Sequence, residues 1–137
     1  MSIKRRREEN IEEEIHFHAD IVEGYEEPDS LIHGIYFEYG PEESGQSWNF
    51  MRDLSNDDGV CIVKKEGQSG TCYGGISSFV LSREGLLCEF DENAAREMGV
   101  RRLRITFSVD EDAWTQLTQQ AHLIFQEEPY ATKFLSL

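Results

Sequence analysis

From Arg102 to Val109 the chain alternates without a fault. Leu103, Ile105, Phe107 and Val109 occupy one parity, and Arg102, Arg104, Thr106 and Ser108 the other. Only an extended strand sends successive side chains to opposite faces, so this run commits the chain to a sheet with one buried and one wet side. The same period recurs upstream. Ile15, Phe17, Ala19 and Ile21 interleave with His16, His18 and Asp20, which predicts a first strand over about 11–23. Gly24 to Ser30 is turn chemistry, and Leu31 to Tyr39 then predicts a second strand with Ile35, Phe37 and Tyr39 on one face. Trp48 and Phe50 resume the alternation after the loop around Pro41.

Further punctuation divides the middle of the chain. Asn56 to Gly59 reads as a tight turn into the short apolar strand Val60–Val63, and Thr71–Tyr73 returns after a polar loop. Gly74 and Gly75 then interrupt the chain as a bulge or sharp bend before Ile76–Ser82, and Leu86, Cys88 and Phe90 alternate once more. Two helices are expected near the end. Asp91 can cap a short one over 92–98 that Gly99 terminates. Asp110 can cap a longer one, with Glu111 and Asp112 at its positive end and Trp114, Leu117, Ala121 and Ile124 along one stripe. The resulting fold class is α+β: six or seven mostly antiparallel strands, with one short helix and one longer C-terminal helix packed on the sheet. At 137 residues the chain is expected to form one domain over 11–137, preceded by a flexible basic arm over 1–10.

Charge separates the ends of the chain. Lys4, Arg5, Arg6 and Arg7 make the start basic, whereas Glu8 to Asp58 holds 16 acids and the single base Arg52. The total of −14 repels phosphate backbones and anionic lipid, so neither nucleic acid nor a membrane is an expected partner. Acid at this density favours a cationic protein partner or serves solubility. No spanning helix or signal peptide is evident, and three cysteines without a C-x-x-C pair argue against a disulfide framework or a zinc site. A reducing cytoplasm fits these features.

Few residues offer chemistry. His16, His18 and Asp20 share the wet parity of the first strand, and with His33 they make the one set that suggests a divalent metal. Cys61, Cys72 and Cys88 sit mid-strand among apolar neighbours, the setting of small buried hydrophobes rather than of nucleophiles. Asp57-Asp58-Gly59 lacks the other ligands of a calcium loop. The glycines from Gly67 to Gly75 lack the G-K-[ST] ending of a phosphate cradle.

The segment from Cys72 to about Phe125 adds a resemblance. Tyr73-Gly74-Gly75-Ile76, then Phe79-Val80-Leu81, Gly85-Leu86-Leu87, Asp91-Glu92-Asn93-Ala94-Ala95 with Met98-Gly99, and Asp110-Glu111 opening the last helix together resemble the immunity protein 10 family of bacterial polymorphic toxin systems. The resemblance covers roughly 75 residues from Gly59 onward. It implies a protein, encoded beside a toxin gene, that neutralises a cognate toxin by binding it, with no catalytic residues and no cofactor. An acidic surface would steer association with a basic toxin domain.

On that footing the expected contact region is the acidic stretch around the loops after the first two strands: Glu23, Glu26, Glu27, Asp29, Glu38, Glu42 and Glu43, with Tyr25, Tyr36 or Tyr39 as aromatic anchors. The alternative is a metal-dependent enzyme or metal-binding module built on His16, His18, Asp20 and His33. A homodimer along the first strand is a further option, which the charge of that strand disfavours.

Overall fold

The computed structural model describes residues 11–40, 45–64 and 70–131. The N-terminal arm and the pair Glu42 and Glu43 lie outside the described residues. Nine strands form two sheets: β1 (Glu12–His18), β2 (Ile21–Glu26), β3 (Ile32–Tyr39), β4 (Gln46–Asp53), β5 (Val60–Lys64), β6 (Thr71–Tyr73), β7 (Ile76–Ser82), β8 (Gly85–Phe90) and β9 (Val100–Thr106). Helix α1 (Glu92–Met98) lies between β8 and β9, and α2 (Glu111–Phe125) follows β9. One sheet has the order β1-β9-β8-β7, and the other is the meander β2-β3-β4-β5-β6. Every pairing is antiparallel except β1 with β9.

The α+β class holds, with nine strands against the six or seven expected, and one of the predicted strands is in fact two. The run over 11–23 breaks between Ala19 and Asp20. The Ala19 amide donates to the Thr106 carbonyl of the four-stranded sheet (2.8 Å), and the next amide, Asp20, donates to Glu38 of the other (2.7 Å). The chain changes sheets within one peptide, so the parity that faces the core changes with it. Phe17 and Ala19 are buried, whereas Ile21, expected on the same side, is 41% exposed. The return crossing is at Gly74 and Gly75, where φ is +78° and +87°. Gly75 also has no room for a side chain, since a Cβ there would lie 2.5 Å from that of Ala94 in α1.

The core fills the space between the two sheets. Phe37 stacks on Phe107 (5.8 Å between centroids), Phe50 meets Phe79 edge-on (5.7 Å) and Trp48 stacks on Phe90 (6.2 Å). Each such side chain removed from water contributes roughly 1.5–3 kcal/mol. Helix α2 lies along the inner side of β2 and β3 through Trp114, Leu117, Ala121 and Ile124, the stripe expected from the sequence. Its first turn is capped by Asp110, which accepts from the Ala113 amide, and α1 is capped likewise by Asp91. Both sheets therefore keep one face open. On the four-stranded sheet the open side carries Glu14, His16 and His18 beside Arg102, Arg104 and Thr106.

A candidate protein-binding face

Strand register fixes which side chains the meander turns away from the core. Ile35, Phe37, Trp48, Phe50 and Ile62 point in and are fully buried. The opposite parity forms rows across the sheet: Glu23, Tyr36, Asn49, Val63 and Thr71 in one, Tyr25, Gly34, Met51, Cys61 and Tyr73 in the next. Ile21 with Glu38 and Ser47 closes one end, and Ile32 with Asp53 the other. Among the described residues this face has no lysine, arginine or histidine. Arg52 and Lys64, the cations of these strands, turn to the other side: the Arg52 guanidinium donates to the carbonyls of Ile124 (2.9 Å) and Gln126 (3.3 Å), and the Lys64 ammonium to that of Met98 (3.1 Å).

Two of the tyrosines are held by hydrogen bonds. Tyr25 lies over Gly34, where a Cβ would fall 2.2 Å from the ring, and its hydroxyl donates to the Asn49 side chain (3.0 Å). Tyr36 donates to the Glu38 carboxylate and accepts from the Ser47 hydroxyl (3.3 Å). Burial pushes both phenols above their ordinary pKa, and for Tyr36 the bond to Glu38 adds to it. Tyr73, at the far edge, is 63% exposed, and the neighbouring Cys61 thiol pushes its phenol above the ordinary pKa. Such rings present large area at low conformational cost.

One end of the face is concave. A hollow of about 180 Å³ there is lined by the apolar Ile32, Met51 and Cys61, by Tyr73, by the carboxylates Asp53 and Asp58, and by Arg52, Asn56 and Gly59. Asp53 accepts from both the hydroxyl (2.6 Å) and the amide (2.9 Å) of Ser55, which holds its carboxyl below the usual range. The Asp58 amide is fixed in turn by the Asn56 side chain (2.9 Å).

The residues singled out from sequence are spread over several places. Glu23, Tyr25, Tyr36 and Glu38 lie on the open face of the meander. Glu27 and Asp29 are exposed in the β2–β3 turn at its margin. Glu26 has the other parity: it accepts from Gln120 of α2 (3.3 Å) beside His33. Tyr39 also sits on the inner parity, 44% exposed, with its ring 6.1 Å from that of Phe17. Met51, Asn49, Asp53, Asp58 and Tyr73 share the face but were not anticipated there. Their signal is the strand parity of β4 to β6, which becomes readable once the register is known. Cys61 and Cys72 are half-buried rather than buried, while Cys88 is enclosed. Burial pushes all three thiols up, away from nucleophilic thiolate.

The metal set does not assemble. His33 bonds Gln120 (2.8 Å) on the inner side of the meander, where it fastens α2 to β3. His16 and His18 stand on the other sheet, in register with Arg104 and Thr106, and His18 bonds the Thr106 hydroxyl (2.8 Å). Two guanidiniums on that surface, Arg102 and Arg104, both engage Glu14 and oppose a bound cation. Among the described residues, no group of three histidine, cysteine, aspartate or glutamate side chains is placed to hold a metal. Nor is any described helix long and apolar enough to cross a membrane.

Comparison with curated proteins and with solved structures returned no match. A family model, described as immunity protein 10, matches residues 18–115. The match begins well before Gly59, where the sequence resemblance starts, and so takes in β2 to β4 and most of the acidic stretch. With β2 to β9, α1 and the start of α2 inside the matched span, the chain belongs to the immunity protein 10 family.

Proposed function

We propose that this protein neutralises a cognate toxin by binding it and covering its working surface, through carboxylates and tyrosines and without chemistry of its own. One observation carries the reading: the open side of the meander combines Glu23, Glu38 and Asp53 with Tyr25, Tyr36 and Tyr73, and by strand parity no described cation of these strands shares it. Charges of one sign on one side raise the rate at which an oppositely charged protein is captured, and aromatic anchors then slow its release. The partner is accordingly a basic toxin domain, met in the cytoplasm of a bacterium. The contact region is centred on Glu23, Tyr25, Tyr36 and Glu38, with Glu27 and Asp29 at the margin and Glu26, Tyr39, Glu42 and Glu43 around it.

The test is charge reversal. Glu23→Lys with Glu38→Lys is expected to slow association with the toxin encoded beside this gene by about tenfold at low salt and to flatten its salt dependence. Protection of cells by the variant equal to that of the wild type, with association unchanged, would remove the electrostatic basis.

A further inference from the structure

We propose that the hollow bounded by Tyr73, Met51, Ile32, Asp53 and Asp58 receives an arginine side chain of the partner protein. The inference rests on the toxin-binding reading above and names a contact within it. An arginine needs three surroundings at once: an apolar channel for its methylenes, a ring face for its planar cation and carboxylates for its N–H groups. The hollow supplies each. Ile32 and Met51 offer apolar lining, Tyr73 is the exposed ring, and Asp53 and Asp58 are carboxylates of the same lining. About 180 Å³ suits a single side chain rather than a helix or a cofactor.

The site is also prepared before anything arrives. Asp53 accepts from both the hydroxyl (2.6 Å) and the amide (2.9 Å) of Ser55, which fixes its carboxylate. Arg52, next in the chain to both Met51 and Asp53, also lines the hollow, but its guanidinium donates to the carbonyls of Ile124 and Gln126 at the end of α2 and so is already engaged. The hollow thus joins a ring and two carboxylates to one arginine whose N–H groups are directed elsewhere. Arginine fits better than lysine because its plane stacks on the ring while its edge still reaches both carboxylates.

Titration of the isotopically labelled full chain with N-acetyl-arginine amide, followed by NMR, tests this directly. Saturable shifts in the millimolar range are expected at Ile32, Met51, Asp58 and Tyr73. They should be several-fold weaker for the lysine amide and absent for the norleucine amide. Asp53→Asn with Asp58→Asn should weaken the arginine response at least tenfold. Shifts spread over the acidic residues generally, or centred on β1 and β9, would overturn the proposal. A second experiment uses the toxin. Tyr73→Ala with Asp58→Asn should lose protection while keeping its unfolding midpoint. Full protection by that variant, alongside failure of the Glu23 and Glu38 reversals, would sink the hollow and leave toxin binding standing. A wild-type chain that fails to protect at all would sink toxin binding instead, and the amide titration would still decide the hollow.

Discussion

The contact between Tyr25 and Gly34 gives a sharp prediction because the same substitution should change sign with its neighbour. In the wild type, Gly34→Ala would place a Cβ 2.2 Å from the Tyr25 ring, far inside van der Waals contact. The ring must swing away and break its bond to Asn49, worth about 1 kcal/mol, and it loses part of its burial as well. Against that, alanine is better than glycine inside a strand by roughly 0.5–1 kcal/mol, and Gly34 has no positive φ to forbid it. The net expectation is a loss of about 1–2 kcal/mol. Once Tyr25→Ala has removed the ring, the clash is gone and only the gain remains. Gly34→Ala should then stabilise the chain by about 0.5–1 kcal/mol, a coupling of about 1.5–3 kcal/mol between the two positions. Urea unfolding of the wild type, both single variants and the double variant measures this cycle. If Gly34→Ala costs the same with and without Tyr25, the ring is not seated where the structure has it, and the face is less ordered than a prepared binding surface requires.

Two further expectations concern the inner side. Arg52→Leu should lower stability by about 1–3 kcal/mol in urea, because the last carbonyls of α2 lose the donor that closes them, whereas Glu128→Gln, which removes only a charge partner of Arg52 at 3.5 Å, should cost under about 1 kcal/mol. Burial, followed by the charge of Glu128, holds the Tyr130 hydroxyl far above its ordinary pKa of 10.0, so the stability it supplies is complete below that pH and is lost as the pH rises above it, where the unfolded chain ionises first. Urea midpoints from about pH 9 to about pH 11 should fall more steeply for the wild type than for Tyr130→Phe, and parallel curves would refute that assignment.

Local signals in the sequence were read well where they act locally. Asp91 and Gly99 bound α1 at the residues expected, and the stripe from Trp114 to Ile124 is the buried side of α2, since caps and helical periodicity are decided within a few residues. The division into two sheets was not readable. Between Ala19 and Asp20 the change of hydrogen-bond partner needs no glycine or proline, so an unbroken alternation hides it, and Ile21 was placed on the wrong side as a result. At Gly74 and Gly75 the corresponding crossing left a visible mark because the backbone there takes positive φ. The open face was half legible for a related reason. Glu23, Tyr25, Tyr36 and Glu38 lie close in sequence, whereas Met51, Asp53 and Tyr73 join them only through register across β3 to β6. His33 looked like a ligand from its residue type alone, and only tertiary packing reveals Gln120 as its partner.

Strands β2 to β6 make up the meander, while β1 must wait for β9, some 88 positions later, to find its neighbour. A newly made chain thus has all the strands of the meander before the strand that pairs with its own N-terminal end has been synthesised. Residues turned outward along those strands have the parity opposite the core, so a substitution there alters what the face presents and spares the packing between the sheets.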